Sequence, residues 1–177
     1  IVFEGAMSEP EVFLNGEKVG EWKYGYSYFY FDITKHINST DKNILAVKLS
    51  NVGLSSRWYP GAGLYRKVRV IVKDKANINQ WGTFITTPII TAELAKVNIK
   101  TKVSGENVKL VTDIFDAEGN KVNTNETTTL FSNEFDQNIG VENPKLWSPE
   151  TPYLYTAVSR LYSNNELKDK ITKRFGI

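Results

Sequence analysis

The side chains best suited to chemistry in this 177-residue sequence crowd into one connector, S-S-R-W-Y-P-G-A-G-L-Y-R-K-V, from Ser55 to Val68. Arg57, Trp58, Tyr59 and Pro60 sit there with two glycines, between runs that read as ordinary β-strands. Aromatic faces stack on the C–H surfaces of sugars, and a guanidinium offers hydroxyls a fixed fork of donors. Arg57-Trp58-Tyr59 therefore reads as a carbohydrate contact or, equally, as a lid in which Trp58 and Tyr59 fold back onto their own sandwich. The glycines do not cradle a phosphate, because G-A-G-L-Y-R precedes a strand rather than a helix. Arg66 is read as a structural residue starting that strand.

Other candidate chemistry is thinner. Trp22, Tyr24, Tyr26, Tyr28 and Tyr30 form a second aromatic concentration. A glycosidase needs two carboxyls facing each other across a bond. The acids here (Glu9, Glu17, Glu106, Asp116, Glu118, Glu142, Glu150) fall on turns and polar faces and read as solvated charge. The single histidine, His36, would have to carry any Ser-His-Asp scheme, and it reads as an exposed turn residue. With no cysteine there is no disulfide, thiolate nucleophile or Cys-ligated zinc. No catalytic set, metal site or cofactor is expected from these residues. The Asn38 and Asn125 glycosylation matches are of a kind frequent by chance.

Composition narrows the class. The chain is 41% hydrophobic and 24% charged, with a formal charge of +2 spread along its length. No basic block points to nucleic acid, and no apolar run approaches the ~20 residues of a membrane-spanning helix. The absence of cysteine leaves the compartment open, bacterial cytoplasm or periplasm. The opening I-V-F-E-G-A reads as the middle of a strand, so a fragment is expected.

The elements that must position the loop are β-strands, because period-two alternation dominates. E-V-F-L-N-G-E-K-V-G-E-W is a hairpin, since Asn-Gly suits a type I′ turn. Y-F-Y-F-D-I is a strand, T-K-H-I-N-S-T-D one helical turn and a loop, and K-N-I-L-A-V-K-L-S a strand. L-Y-R-K-V-R-V-I-V-K is the strongest β run. After the polar joint D-K-A-N come about seven short strands with the spacing of an immunoglobulin-like sandwich. Its core must hold by packing alone, with Trp147 as a plug over one end. The expected fold is all-β, with domains at 1–76 and 77–177.

Five segments, in order, resemble glycoside hydrolases of family 2, the β-galactosidase and β-glucuronidase group. They are E-V-F-L-N-G-E-K-V-G, G-Y-S-Y-F-Y-F-D-I-T, N-I-L-A-V-K-L-S-N, S-R-W-Y-P-G-A-G-L-Y-R-K-V and N-P-K-L-W-S-P-E-T-P-Y-L-Y-T, followed by a closing R-F-G-I. The S-R-W-Y form most resembles β-galactosidase-like members from gut bacteria.

The resemblance implies that residues 1–76 are the C-terminal part of a jelly-roll, galactose-binding-like domain and 77–177 an immunoglobulin-like domain. It implies a retaining β-glycosidase whose catalytic glutamates lie in a following (β/α) barrel, outside these residues. This chain would be a non-catalytic scaffold segment, inactive alone. Its partners would be that barrel and, through the parent enzyme, a carbohydrate substrate. By the same resemblance Arg57 touches the terminal sugar while Trp58 and Tyr59 shape the pocket wall, or else the loop only packs against the barrel. Missing opening strands would leave a sheet edge open to a strand-paired homodimer. The competing reading is a free-standing carbohydrate-binding or adhesion protein.

Overall fold

The computed structural model describes residues 1–51, 53, 61–130 and 133–177. It is all-β, with thirteen strands and one 3-10 turn among the described residues, and divides into two compact units, Ile1–Val72 and Lys73–Ile177.

The first unit is made of short strands: β1 (Val2–Phe3), β2 (Glu11–Leu14), β3 (Glu17–Glu21), β4 (Phe29–Tyr30), β5 (Leu45–Lys48) and β6 (Val68–Arg69). They form two three-stranded antiparallel sheets, ordered β3-β2-β5 and β4-β1-β6. The β2–β3 hairpin turns on Asn15 and Gly16 at φ 54° and 87°, the positive values that a type I′ turn demands. Asn15 does more than turn the chain. Its backbone N–H donates to Ile44 O, its Oδ1 accepts Ile44 N–H at 2.9 Å, and its amide donates to His36 O and Asn43 Oδ1. The expected helical turn is the 3-10 turn at Thr34–His36. Asp32 leads into it by accepting the Thr34 N–H at 2.9 Å, and its bonds to Thr34 hold its carboxyl below the ordinary aspartate range.

The core of this unit is Ile1, Phe3, Ala6, Val12 and Phe29, with Val19, Phe31, Ile33, Val47, Leu49 and Val68 packed on it. Phe3 and Phe29 stack at 4.8 Å, and Trp22 stacks on Phe29 at 5.8 Å. Two sequence expectations are corrected. The Y-F-Y-F-D-I strand is only Phe29–Tyr30, and the run at 64–73 pairs only at Val68–Arg69. A branched run becomes a strand only opposite a partner, and the β1 ladder ends at Val2↔Arg69. Val70 and Val72 are consequently 62% and 90% exposed.

The second unit has seven long strands: β7 (Asn77–Ile90), β8 (Leu94–Ser104), β9 (Val108–Phe115), β10 (Lys121–Thr129), β11 (Glu134–Glu142), β12 (Tyr155–Ser163) and β13 (Glu166–Phe175). One sheet runs β11-β8-β7 and the other β10-β9-β12-β13. An immunoglobulin constant-type sandwich would place the fourth strand beside the fifth. Here β10 pairs instead with β9, from Lys121↔Phe115 to Thr129↔Val108. Strict alternation drives the sheets together. Ala95, Val97, Ile99, Thr101 and Val103 of β8 face inward, as do Phe135, Gln137, Ile139 and Val141 of β11, while charged neighbours face out.

Packing alone does not hold this core. Two apolar clusters lie along it, one around Ile99, Ile114 and Ile139, the other around Leu110, Phe135 and Leu161. At the level between them four strands each place a buried polar residue: Thr101, Thr112, Gln137 and Ser159. The Thr112 hydroxyl donates to Gln137 Oε1 at 2.7 Å, so the Ser159 hydroxyl, 2.9 Å away, donates to Thr112. The Gln137 amide donates to Leu110 O and Asn125 Oδ1 at 3.1 and 3.2 Å. Thr101 Oγ1 has no hydrogen-bond partner among the described residues.

Trp147 does not plug the sandwich. It is 49% exposed, its N–H donates to Ile177 O at 2.7 Å, and its side chain lies flat on Gly176, where a Cβ would have no room. Tyr155 closes that end. It packs on Tyr153 and Phe175, and its hydroxyl accepts the Lys145 N–H at 2.9 Å. That bond ties the start of β12 back to the preceding connection, as the tyrosine corner of immunoglobulin-like domains does.

Candidate functional site

Arg57, Trp58 and Tyr59 lie outside the described residues; the feet of their loop do not. Both feet end on one short segment of the first unit. On the leading side, Ser50 N–H donates to Ser8 O at 2.9 Å and the Ser8 hydroxyl donates to Ser50 O at 2.5 Å. On the trailing side, Met7 and Gly63 exchange both backbone hydrogen bonds at 3.0 Å as an isolated bridge. Adjacent residues thus clamp the two ends of the loop, which shortens the span that its ordering has to bridge.

The clamp is itself held by packing. Met7 is buried and fills the space that a side chain on Gly25 would need, with Sδ 2.6 Å from the position of such a Cβ. Tyr65 donates from its hydroxyl to Gly25 O at 2.9 Å, and its ring covers Gly5. Arg66 is not in a strand: it is exposed, with its guanidinium 5.7 Å from the centre of the Tyr65 ring. Met7, Ser8 and Tyr65 were missed in the sequence because S-E-P carries no motif and Tyr65 reads as part of a strand.

The other candidates have structural roles or stand in solvent. His36 Nδ1 lies 3.0 Å from Glu17 Oε2 on the hairpin, so it is a paired and partly buried turn residue. Glu9, Glu106, Glu142 and Glu150 are exposed. Asp116 shapes a turn by accepting Asn120 N–H at 2.7 Å, and Glu118 accepts the Tyr153 hydroxyl at 2.7 Å. Asp113 is buried beside Arg160, which donates to it at 2.5 Å. Burial pushes the Asp113 carboxyl up, but the bonds from Arg160 and Thr124 and the charge of Lys121 outweigh it, and the net shift is downward. Among the described residues no three His, Asp or Glu side chains come together as a metal site, and no helix is long and apolar enough to cross a membrane. A cleft of about 510 Å³ beside Trp147 is lined by Leu154, Arg174, Phe175, Gly176 and Ile177 and offers no acid–base pair.

Comparison with known proteins agrees with this architecture. Residues 76–177 match the model of the glycosyl hydrolases family 2. A β-galactosidase of Bacteroides ovatus is 35% identical over all of this chain and 22% of its own length. A β-glucuronidase of Formosa agariphila is 28% identical over all of this chain and 21% of its own. A solved family 2 structure from Bacteroides cellulosilyticus superposes with a TM-score of 0.88 at 31% identity, over 99% of this chain and 25% of that one. The chain spans about a fifth to a quarter of the length of these relatives. The family model over residues 76–177 and the relatives that match nearly the whole chain in sequence and fold agree: the chain belongs to the glycosyl hydrolases of family 2.

Proposed function

We propose that this chain is a non-catalytic scaffold segment of a retaining, β-galactosidase-like glycosidase that removes terminal β-linked sugars. In this reading residues 1–76 belong to its jelly-roll domain and 77–177 to its immunoglobulin-like domain. The acid/base and nucleophile carboxylates lie in a (β/α) barrel elsewhere in the same polypeptide. The loop at 55–63 reaches that barrel's substrate mouth, where Arg57 donates to hydroxyls of the terminal sugar and Trp58 and Tyr59 wall the pocket.

The observation that carries this reading is the pattern of coverage. Enzymes that bear β-galactosidase and β-glucuronidase names match this chain end to end, yet the match fills only about a fifth of each. The clamp at Met7 and Ser8 supports the role of the loop, since a contact loop gains from feet that do not move.

The test has two arms. The reading frame beyond Ile177 is expected to run on through ~250 residues of alternating strand and helix pattern, the size of such a barrel. The whole product is expected to hydrolyse nitrophenyl β-galactoside or β-glucuronide, while these 177 residues alone do not. A stop codon soon after Ile177 would leave no room for a barrel and favour a free-standing carbohydrate-binding protein. The exposed run Val70–Val72 also supports strand-paired dimers of the isolated chain, which Val72→Lys would disperse in a sedimentation experiment.

A further inference from the structure

The corner of the first hairpin holds a reactive pair that neither the loop nor the core uses. Asn15-Gly16 is the one Asn-Gly of the sequence, and it stands at the exposed tip between β2 and β3. A glycine after an asparagine leaves the next peptide nitrogen unshielded, because no side chain stands over it. That nitrogen can attack the side-chain carbonyl. The Gly16 N–Asn15 Cγ bond forms, the Asn15 Cγ–Nδ2 bond breaks, and ammonia leaves with the proton of the Gly16 N–H. Water then opens the resulting cyclic imide to an aspartate, or to an isoaspartate with one more carbon in the backbone.

The fold withholds both reacting groups. Ring closure needs Gly16 N to swing beneath the Asn15 Cβ, and a type I′ turn, with Asn15 at φ 54°, holds that nitrogen turned away. The side chain is pinned as well. Its Oδ1 accepts the Ile44 N–H, and its Nδ2 donates to His36 O and Asn43 Oδ1, all at 2.9 Å. Asn43 is fixed in turn, since its Oδ1 accepts the Asn38 N–H and its amide donates to Asn38 O, both at 2.8 Å. Three bonds to the 36–44 loop must therefore break before Cγ can meet Gly16 N. The product cannot restore them. A carboxylate at this position keeps the bond from Ile44 but sets a charged oxygen against His36 O and Asn43 Oδ1, where two N–H donors stood. An isoaspartate also lengthens the corner and disturbs the β2–β3 register. We propose that Asn15 is a deamidation site gated by the 36–44 loop, shut in the native fold and opened when that loop lifts off. Each event is then a permanent record of a local opening of the first unit. This site is independent of the glycosidase reading.

The test is peptide mapping by mass spectrometry of the full-length protein, held in warm, mildly alkaline buffer with and without urea. The readout is the mass gained when the Asn15 amide becomes a carboxylate. The native wild type should convert at least ~tenfold more slowly than the urea-unfolded chain, because only local opening populates the reactive state. Asn43→Ala loosens the loop and should raise the native rate about fivefold or more, with no dependence on low urea. In hydrogen exchange, Asn15→Asp should open β2 and β3 more than Asn15→Gly, which also lacks the amide but suits the positive φ and carries no charge. A native rate equal to the rate in urea, or an Asn43→Ala rate equal to that of the wild type, overturns the gate. So does an Asn43→Ala rate that climbs steeply with urea, because the reactive state would then be the globally unfolded chain. No conversion in urea overturns the site itself. Exchange in Asn15→Asp no faster than in Asn15→Gly overturns the permanence of the change.

Discussion

The second unit builds its fold from strands of eight to fourteen residues, the first from strands of two to five. In the second unit nearly every inward residue belongs to a continuous core, and two apolar clusters are stitched together by Thr112, Gln137 and Ser159. In the first, five buried residues around the Phe3–Phe29 stack hold the centre, and the remaining order comes from side chains that bind backbone: Asn15 on Ile44, Asp32 on Thr34, Ser8 on Ser50, Tyr65 on Gly25. Long ladders bury a continuous core, and short strands tied by side chains leave Tyr24, Tyr26 and Tyr65 exposed. The difference follows from strand length, because short strands cannot bury all the aromatics that they carry.

The contrast breaks first at Phe3. Phe3→Ala removes one half of a buried stack, and such truncations cost about 3–5 kcal/mol. The first unit should then unfold at much lower urea while the second keeps its transition, read separately through Trp22 and Trp81 by replacing the other tryptophans. Loss of both transitions together would mean that the units fold as one.

A smaller effect is expected at the polar belt. Gln137→Leu takes the acceptor from the buried Thr112 hydroxyl and a donor from Leu110 O, and should cost the second unit about 1–3 kcal/mol in urea unfolding. Thr101→Val in the same belt should do the opposite. It removes a buried hydroxyl without a partner and should stabilise by about 1 kcal/mol. If the two variants shift stability in the same direction, the belt is not the discriminating network described above.

The smallest effect is electrostatic and separates the units by salt. Glu11 sits between Lys18 and Lys48, and their hydrogen bonds hold its carboxyl down at about 2. Asp113 is held low beside Arg160 inside the second unit. Both carboxyls are ionised more readily in the folded state. Their contribution is therefore complete above the ordinary carboxylate range near pH ~4 and lost as pH falls through the lower folded values. Added salt should erase the acid sensitivity of the exposed Glu11 cluster and spare that of Asp113. Thermal unfolding between pH 5 and pH 2, with and without 1 M salt, reads the difference.

The same contrast explains what the sequence discloses. All seven strands of the second unit were legible because alternation persists over many residues between clear turns, and Asn15-Gly16 announced its hairpin through backbone geometry alone. The polar belt was not legible, since Thr112 and Ser159 look like any strand threonine and serine until three strands bring them to one level. The run at Val68–Val72 misled because branched residues report a preference for pairing but not the presence of a partner. At the candidate site Arg57, Trp58 and Tyr59 lie outside the described residues, and the feet of their loop were not legible because Met7 acts through backbone groups that every residue possesses and Ser8 through a hydroxyl that no motif marks.

The most direct measurement of the proposed sugar contact is the kcat/KM of Arg57→Ala and Arg57→Lys in the full-length protein on a nitrophenyl β-glycoside. Loss of a charged hydrogen bond to a sugar hydroxyl is worth about 1.5–3 kcal/mol, so Arg57→Ala should reduce kcat/KM by about ten- to a hundredfold with unfolding unchanged. Lysine should recover part of it, because it keeps the charge and loses the fork. Wild-type kcat/KM in Arg57→Ala would show that the loop only packs, and would contradict the sugar contact assigned to it.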